Sequence, residues 1–240
     1  MSPPVSPILK STMLHALGSR AAFASALVAA AVMLLAACVA ADDVPAAAPT
    51  RGATIAAFYG DSYTRGTGAS SPERRWSTIV CAERGWYEFN PSVDGLGYVN
   101  NRGLAPGGDL VDQIVDHEPS PDVVIVTMGL NDAFSMPSAG DEIREAIADD
   151  LERFRTELPD ARLVVVEPFW YQDDRPDEFE QIVEWVEDAA SRVDADYIAG
   201  ASHWLEGHPE WMSSDVIHPN DDGYAELARR MDAELERLGL

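Results

Sequence analysis

Three short runs of consecutive apolar residues, rich in β-branched side chains, mark the strongest predicted strands of this sequence. They cover residues 53–59, 122–128 and 162–167, and each is followed by a glycine or a proline. A run of this kind, without alternating polar residues, is typical of a strand buried on both faces of a parallel sheet. Two weaker strands are predicted at residues 86–89 and 196–199.

Apolar residues between these strands recur at spacings of three and four, which predicts amphipathic helices. Caps and helix-starting prolines mark the first turns at Ser71-Pro72, Asp109, Asp141 and Pro176, and a last helix ends the chain. Strand and helix alternate about five times, a pattern that favours right-handed βαβ crossovers. The sequence therefore predicts one α/β domain, a three-layer α/β/α sandwich with a five-stranded parallel sheet.

The first 37 residues differ from the rest because they contain no acidic residue. Lys10 and Arg20 precede an apolar, alanine-rich run over residues 21–37, which is typical of a secretory signal. The run ends in Leu35-Ala36-Ala37-Cys38. This ending resembles a bacterial lipobox, where the chain is cut before a cysteine that becomes lipidated. We therefore predict a lipoprotein signal peptide over residues 1–37.

Cleavage before Cys38 would leave a secreted protein that is anchored to the outer face of the cell membrane by its lipidated cysteine. Residues 38–51 are rich in alanine and proline and show no apolar period, which predicts a flexible tether. The folded domain is expected over residues 52–240. An uncleaved membrane helix and a secreted protein without an anchor are the alternatives.

The charge of the chain limits its possible partners, and its cysteine content limits its possible disulfides. The chain has 17 Lys and Arg against 41 Asp and Glu, a net charge of −24 at pH 7. A surface this acidic repels phosphate backbones, so we expect no nucleic-acid partner. The predicted domain contains one cysteine, Cys81, so an internal disulfide is excluded there. Its place on an apolar helical face predicts a core residue.

Four polar motifs follow the predicted strands. They are Gly60-Asp61-Ser62, Gly95, Gly129-Leu130-Asn131-Asp132 and Asp215-Val216-Ile217-His218. Because ligands bind beyond the carboxyl ends of the strands in such sheets, we expect these motifs to converge at one edge. A serine, a histidine base and a carboxylate that orients the imidazole are the set that nucleophilic acyl transfer requires. Backbone N–H groups and an amide side chain can donate to the oxyanion.

In this order, the four motifs resemble the sequence blocks of the SGNH hydrolases, also called the GDSL esterase/lipase family, over roughly residues 53–240. The resemblance implies a flavodoxin-like sandwich in which Ser62 is the nucleophile, His218 the base and Asp215 its orienting acid. It also implies an oxyanion hole formed by the Ser62 N–H, the Gly95 N–H and Asn131. No metal and no organic cofactor are implied.

Some residues of these motifs have a competing assignment or differ from the family pattern. Gly97 competes with Gly95 for the second block, and Tyr63 stands where the family has leucine, at a packing or pocket position. Asp61 and Asp132 are interpreted as structural residues that cap a helix or hold loops.

The predicted function is that of a serine ester hydrolase that acts outside the cytoplasm on an acyl or acetyl ester of a small molecule, lipid or glycan. An acyltransferase that uses the same residues on envelope glycans is the close alternative. A non-catalytic carbohydrate- or lipid-binding module and a flavodoxin-like electron carrier are alternatives from other classes. The acyl chain length and the alcohol part of the substrate are left open.

Two further groups of residues have competing interpretations. His203 and His208 could join Asp215 and His218 in a metal site, but the early ligand pair that such sites usually contain is missing, so no metal is expected. Aromatic residues follow the third long strand and precede His218, at Phe169-Trp170-Tyr171, Trp204 and Trp211. They either contact the substrate or pack the long loops.

Overall fold

Five parallel strands form the centre of the structure, a computed structural model that describes residues 50–240. The strands are β1 (Ile55–Tyr59), β2 (Tyr87–Phe89), β3 (Val123–Val126), β4 (Arg162–Val166) and β5 (Asp196–Ile198). They lie in the order β2-β1-β3-β4-β5, and every neighbouring pair is parallel. This is the strand order of flavodoxin-like folds, so the predicted five-stranded sandwich is confirmed.

Helices cover both faces of the sheet. In the described residues they are α1 (Ser62–Arg65), α2 (Trp76–Arg84), α3 (Leu110–Val115), α4 (Gly140–Glu157), α5 (Asp177–Arg192) and α6 (Asp221–Arg237). Successive side chains of a strand point to opposite faces, so each strand contributes to two cores. Phe58 and Ile125 pack with residues of α2 and α6, whereas Tyr59 and Val126 pack with residues of α3, α4 and α5.

The strands end almost level at the edge from which the predicted motifs emerge. Tyr59 pairs with Val126, and Val126 pairs with Val165. All three side chains are buried, and full burial of a valine contributes about 1.5–3 kcal/mol relative to exposure. The segments that follow β1 and β3 therefore leave a fixed edge side by side.

The structure differs from the sequence prediction at two helix starts. Pro72 opens a 3₁₀ turn of three residues, and α2 begins at Trp76 because the backbone of Arg75 is extended. Ser71 makes no side-chain capping hydrogen bond. Asp141 lies in the first turn of α4 and is not its cap, and its charge is favoured there by the helix dipole.

Two other helices, α3 and α6, begin at side-chain caps. Asp109 accepts a hydrogen bond from the Val111 N–H, which confirms the predicted cap of α3. Asn220 caps α6 by accepting from the N–H groups of Asp222 and Gly223, a role that the sequence analysis did not assign. It ends the loop that contains His218 two residues after that histidine.

The predicted signal peptide, Cys38 and nearly all of the predicted tether lie outside the described residues. Within residues 50–240, no helix combines the length and the apolar character needed to cross a membrane. Cys81 is buried in α2, which confirms the predicted core position, and burial raises the pKa of its thiol.

Candidate active site

Ser62 is the first residue of the short helix α1, directly after β1. Asp61 caps this helix, because its Oδ1 accepts a hydrogen bond of 2.9 Å from the Tyr63 N–H. The Ser62 N–H belongs to the first turn, where backbone donors have no partner within the helix. Among residues 50–240 it has no hydrogen-bond acceptor. Its side chain is 5% exposed, so the hydroxyl is held at the surface of a packed core.

His218 reaches Ser62 from the loop between β5 and α6. Its Nε2 lies 2.9 Å from the Ser62 Oγ, and its Nδ1 lies 2.7 Å from the Asp215 Oδ2. A ring that donates from Nδ1 to a carboxylate has Nε2 free to accept from a hydroxyl. The three predicted residues therefore form one hydrogen-bonded chain.

Asp215 also organises the turn that contains His218. Its Oδ1 accepts from the N–H groups of Ile217 and His218 and from the Ser213 hydroxyl. Burial opposes ionisation, but the hydrogen bonds from the His218 ring and from these donors outweigh it and hold the pKa of Asp215 well below its usual range. Asp215 is thus a carboxylate throughout the neutral pH range, as a partner of imidazole must be.

The turn itself has an unusual backbone. Val216 lies in the left-handed region with φ +56°, which is rare for a β-branched residue. The Ser213 N–H donates to the His218 carbonyl, and Met212 forms an antiparallel bridge with Pro219. This narrow hairpin holds Val216 in its strained conformation and presents His218 to the sheet edge.

Tyr63 braces the same turn from the other side. Its hydroxyl donates to the Ile217 carbonyl at 2.6 Å, and its ring stacks on Phe169 and lies 6.0 Å from the His218 ring. Sequence analysis placed Tyr63 at a packing or pocket position and missed this bond. The substitution of tyrosine for leucine was the available signal, because a buried hydroxyl needs a partner.

Asn131 lies between Ser62 and the Gly95 loop. Its Nδ2 donates to the Asp61 Oδ2 at 3.1 Å and to the Leu96 carbonyl at 2.9 Å. One amide thus contacts the residue before Ser62 and the residue after Gly95. The Asn131 side chain therefore links the segment of Ser62 with the segment of Gly95. In this structure both hydrogens of the amide are engaged.

The two candidate glycines of the second motif differ in their N–H groups. The Gly97 N–H donates to the Asn100 carbonyl, whereas the Gly95 N–H has no acceptor among the described residues. A Cβ on Gly97 would lie 2.5 Å from the carboxylate oxygens of Asp132. Gly97 therefore permits close packing, and Gly95 is the glycine whose backbone N–H is available to a ligand.

Asp132 holds this loop in place. It is completely buried, and its carboxylate accepts from the N–H groups of Tyr98, Val99 and Asn100. These bonds fix the segment that contains Gly95 against the 3₁₀ helix that contains Asn131, residues Leu130–Ser135. The interpretation of Asp61 as a cap and of Asp132 as a loop-holding residue is confirmed by these contacts.

Asp61 has a perturbed acidity. Its burial raises the pKa to about 7, with smaller contributions from the charges of Asp132 and Asp94, although the Tyr63 N–H bond lowers it. The carboxyl group is only one residue from Ser62 and bonded to Asn131. A group that titrates near neutral pH therefore contacts the amide donor.

The other sequence candidates lie elsewhere. His203 pairs with Glu206 and His208 with Glu210, so these rings are not gathered around His218. Phe169, Trp170 and Trp204 are buried and belong to the core. Trp211 is half-buried and stacks on His208. Packing is thus the observed role of most of these aromatic residues.

Comparison with known proteins places the chain in a family. The model of the GDSL-like Lipase/Acylhydrolase family matches residues 58–226. The chain belongs to this family. It is a carboxylic ester hydrolase, and the predicted resemblance is confirmed.

One related protein and two solved structures are also similar to this hydrolase. GDSL lipase Rv0518 of Mycobacterium tuberculosis is 28% identical over 186 residues, which are 73% of this chain and 78% of the relative. Among solved structures, TesA is 18% identical with a TM-score of 0.62, and the match covers 77% of this chain and 99% of TesA. A family two carbohydrate esterase from Clostridium thermocellum, in complex with cellohexaose, is 18% identical with a TM-score of 0.61, covering 80% and 67%. The two structures support the fold.

Proposed function

We propose that this hydrolase cleaves acyl or acetyl esters outside the cytoplasm through a catalytic triad of Ser62, His218 and Asp215. The observation that carries the proposal is the hydrogen-bonded chain, 2.9 Å from the Ser62 Oγ to the His218 Nε2 and 2.7 Å from the His218 Nδ1 to the Asp215 Oδ2. Such distances allow proton transfer between the hydroxyl and the ring. The anionic Asp215 favours the imidazolium that this transfer creates.

Acylation begins when the Ser62 oxygen attacks the carbonyl carbon of the ester and its proton moves to the His218 Nε2. The carbonyl oxygen then carries the negative charge of the tetrahedral intermediate. His218 returns the proton to the alcohol oxygen as the ester bond breaks, and the acyl group stays on Ser62. The alcohol leaves as a neutral molecule.

The developing oxyanion needs donors that are already in position. The N–H groups of Ser62 and Gly95, which have no acceptor within residues 50–240, supply two. Asn131 supplies a third when the substrate oxygen replaces the Leu96 carbonyl as the acceptor of one amide hydrogen, while the bond to Asp61 keeps the amide in place. Because of this exchange, the amide stabilises the charged intermediate more than the neutral ester.

Deacylation repeats these steps with water. His218 takes a proton from the water as its oxygen attacks the acyl carbon, the ester bond to Ser62 breaks, and the proton returns to the Ser62 oxygen. The products are the free carboxylic acid and the regenerated serine. A relative that is a carbohydrate esterase supports glycan esters as one substrate class to examine.

Hydrolysis of a p-nitrophenyl ester series of rising acyl length tests the proposal. We expect the wild-type chain to release both acid and alcohol and Ser62→Ala to lose this turnover while it keeps its circular dichroism spectrum. Transfer of the acyl group to an added glycan, without release of acid, would identify an acyltransferase instead. Undiminished hydrolysis by the folded variant would refute the triad.

We also propose that the mature protein is a lipoprotein that begins at Cys38 and lies on the outer face of the membrane. The support is the basic flank, the apolar run and the Leu35-Ala36-Ala37-Cys38 ending. Stable anchoring requires more than one acyl chain, as in a diacylated cysteine. We expect the wild type to enter the detergent phase of a phase partition and Cys38→Ser to stay out of it. Mass spectrometry of an unmodified Cys38 in membrane-derived protein would exclude the anchor.

A further inference from the structure

Two cavities are lined by residues that follow β3 and β4 in the chain, and the proposed mechanism uses neither. The first has a volume of about 270 Å³ and is lined by Phe134 and Tyr171 among others. The second has a volume of about 440 Å³ and is lined by Met136 and Trp185 among others. Their lining residues belong to the segments that follow β3 and β4, and ligands of such folds bind beyond the carboxyl ends of the strands.

The two cavities have no lining residue in common, but the same two stretches of chain form their walls. One wall is the segment of residues 133–142 after β3, and the other is formed by residues 170–178 and by α5. On α5, Glu178 lines the first cavity, and Gln181 and Trp185 line the second. These spacings of three and four place them on one face of the helix. We name this pair of cavities the β3–α5 furrow.

Phe134 connects the furrow with the ester site. It follows Asn131 by three positions in a 3₁₀ helix, and side chains at this spacing lie above one another, about 6 Å apart along the axis. Phe134 therefore lies one turn beyond the residue whose amide we assign to the oxyanion hole. It is 64% exposed and, in the described part of the chain, belongs with Leu104, Val216 and Ile217 to the exposed large apolar residues.

The lining combines aromatic rings with acidic groups that form no ion pair among the described residues. Phe134, Tyr171 and Trp185 contribute the rings, and the acidic residues are Asp141, Glu142, Asp174 and Glu178. No basic residue lines either cavity in the described part of the chain. Arg175, in the middle of one wall, instead pairs with Glu180 and Glu206.

We propose that the β3–α5 furrow binds the sugar chain of the substrate, and that this substrate is an uncharged O-acylated oligosaccharide; the proposal rests on the proposed ester hydrolysis. Aromatic rings stack on the apolar faces of sugar rings, and carboxylates and amides accept hydrogen bonds from sugar hydroxyls. A long acyl chain would strip water from four carboxyl groups without replacing its hydrogen bonds. A uronate chain or a phospholipid headgroup would be repelled by the same groups and by the net charge of −24.

The test compares three substrates on four proteins. The substrates are O-acetylated cello-oligosaccharides of two to six units, p-nitrophenyl acetate and p-nitrophenyl decanoate. The proteins are the wild type, Phe134→Ala, Trp185→Ala and the control Leu104→Ala. Leu104 is also a highly exposed apolar side chain, but it lies outside the furrow. Circular dichroism and thermal melting verify that each variant is folded.

We expect KM of the wild type to fall as the oligosaccharide becomes longer. Phe134→Ala and Trp185→Ala should each raise KM for the hexamer by about tenfold more than for p-nitrophenyl acetate, the loss expected for one ring contact. Leu104→Ala should leave the kinetics on every substrate unchanged. Because Phe134 lines the first cavity and Trp185 the second, the effect of Trp185→Ala should appear only with the longer oligomers.

Three other outcomes are informative. A selective loss of decanoate hydrolysis in Phe134→Ala would make the furrow an acyl groove and overturn the proposal. Equal KM values for all oligomers, with both variants like the wild type, would show that the furrow binds no sugar, while hydrolysis of p-nitrophenyl acetate would leave the proposed function intact. Absence of hydrolysis of every ester by the wild type would refute the proposed function itself.

Discussion

The two halves of the candidate active site are built in different ways. Ser62 and Asn131 follow β1 and β3, two central strands, and both residues are at least nine-tenths buried. His218 and Asp215 lie on a long loop outside the sheet, and the Asp215 side chain is 44% exposed. The nucleophile and the amide, which we call the edge half, are thus fixed by the core. The base and Asp215, which we call the loop half, depend on hydrogen bonds within one turn.

This difference indicates what each half contributes. Burial at the sheet edge holds donors in position before the substrate arrives, which is what oxyanion stabilisation needs. The loop half holds a proton carrier whose position depends on Asp215, on the hairpin from Met212 to Pro219 and on the Tyr63 hydroxyl. We therefore expect substitutions in the loop to change activity with little loss of stability, and substitutions at the edge to change both.

The largest effect is expected from removal of the base. His218→Ala should lower kcat by about 10⁵–10⁶, because no other group accepts the Ser62 proton, and Asp215→Ala should lower it by about 10⁴. Both variants should unfold at nearly the wild-type denaturant concentration. Steady-state kinetics with a p-nitrophenyl ester and urea unfolding measure the two effects. A larger loss for Asp215→Ala than for His218→Ala would contradict the assigned roles.

The next effect concerns the edge half. Asn131→Ala should lower kcat by about 10²–10³ and leave KM nearly unchanged, because its donor acts on charge that develops in the transition state. The variant should also lose stability, since the Leu96 carbonyl and the buried Asp61 carboxyl each lose a donor. If KM alone rose, Asn131 would be a substrate-binding residue.

The Asp61 carboxylate should support activity, whereas its ionisation should lower the stability of the fold. Asp61→Asn should lower kcat by about 10–100-fold, because the charged acceptor that holds the Asn131 amide is lost. The pKa of Asp61 is raised to about 7 in the folded protein. Between about pH 4 and pH 7 the folded protein keeps a proton that the unfolded chain releases, so the contribution of Asp61 to stability falls as the pH rises.

Urea unfolding of the wild type and of Asp61→Asn at pH 5 and pH 8 measures this contribution. The asparagine does not titrate, so its stability relative to the wild type should be greater at pH 8 than at pH 5 by roughly 2–3 kcal/mol. A stability difference that is the same at both pH values would show that Asp61 is ionised throughout this range.

The smallest effect is expected at Tyr63, which connects the two halves of the site. Tyr63→Phe removes only the hydroxyl that donates to the Ile217 carbonyl. We expect kcat to fall about two- to tenfold, because one hydrogen bond no longer braces the turn, with the ring packing on Phe169 preserved. Kinetics and thermal melting verify this. A loss as large as that of Asp215→Ala would mean that the loop has little stability of its own.

The sequence predicted the edge half better than the loop half, for a physical reason. Apolar runs reveal buried strands, and in a parallel sheet the residues after such strands share one edge, so the positions of Ser62 and Asn131 follow from pattern alone. The bond from Tyr63 joins residues 154 positions apart, so no local pattern reveals it, and the left-handed Val216 follows from the closure of its hairpin. The cap at Asn220 is local, and the sequence analysis did not assign it although asparagine is a favoured cap. Phe134 was missed because one exposed aromatic residue has no periodicity.

Labelling with a fluorophosphonate tests the central claim most directly, because this reagent reacts far faster with a serine whose proton is taken by a base than with an ordinary serine. We expect mass spectrometry to locate the adduct on Ser62 in the wild type and in the control Ser92→Ala, which removes another buried serine. Ser62→Ala and His218→Ala should show no adduct. An adduct on any other residue, or labelling of folded Ser62→Ala at the wild-type rate, would contradict the account.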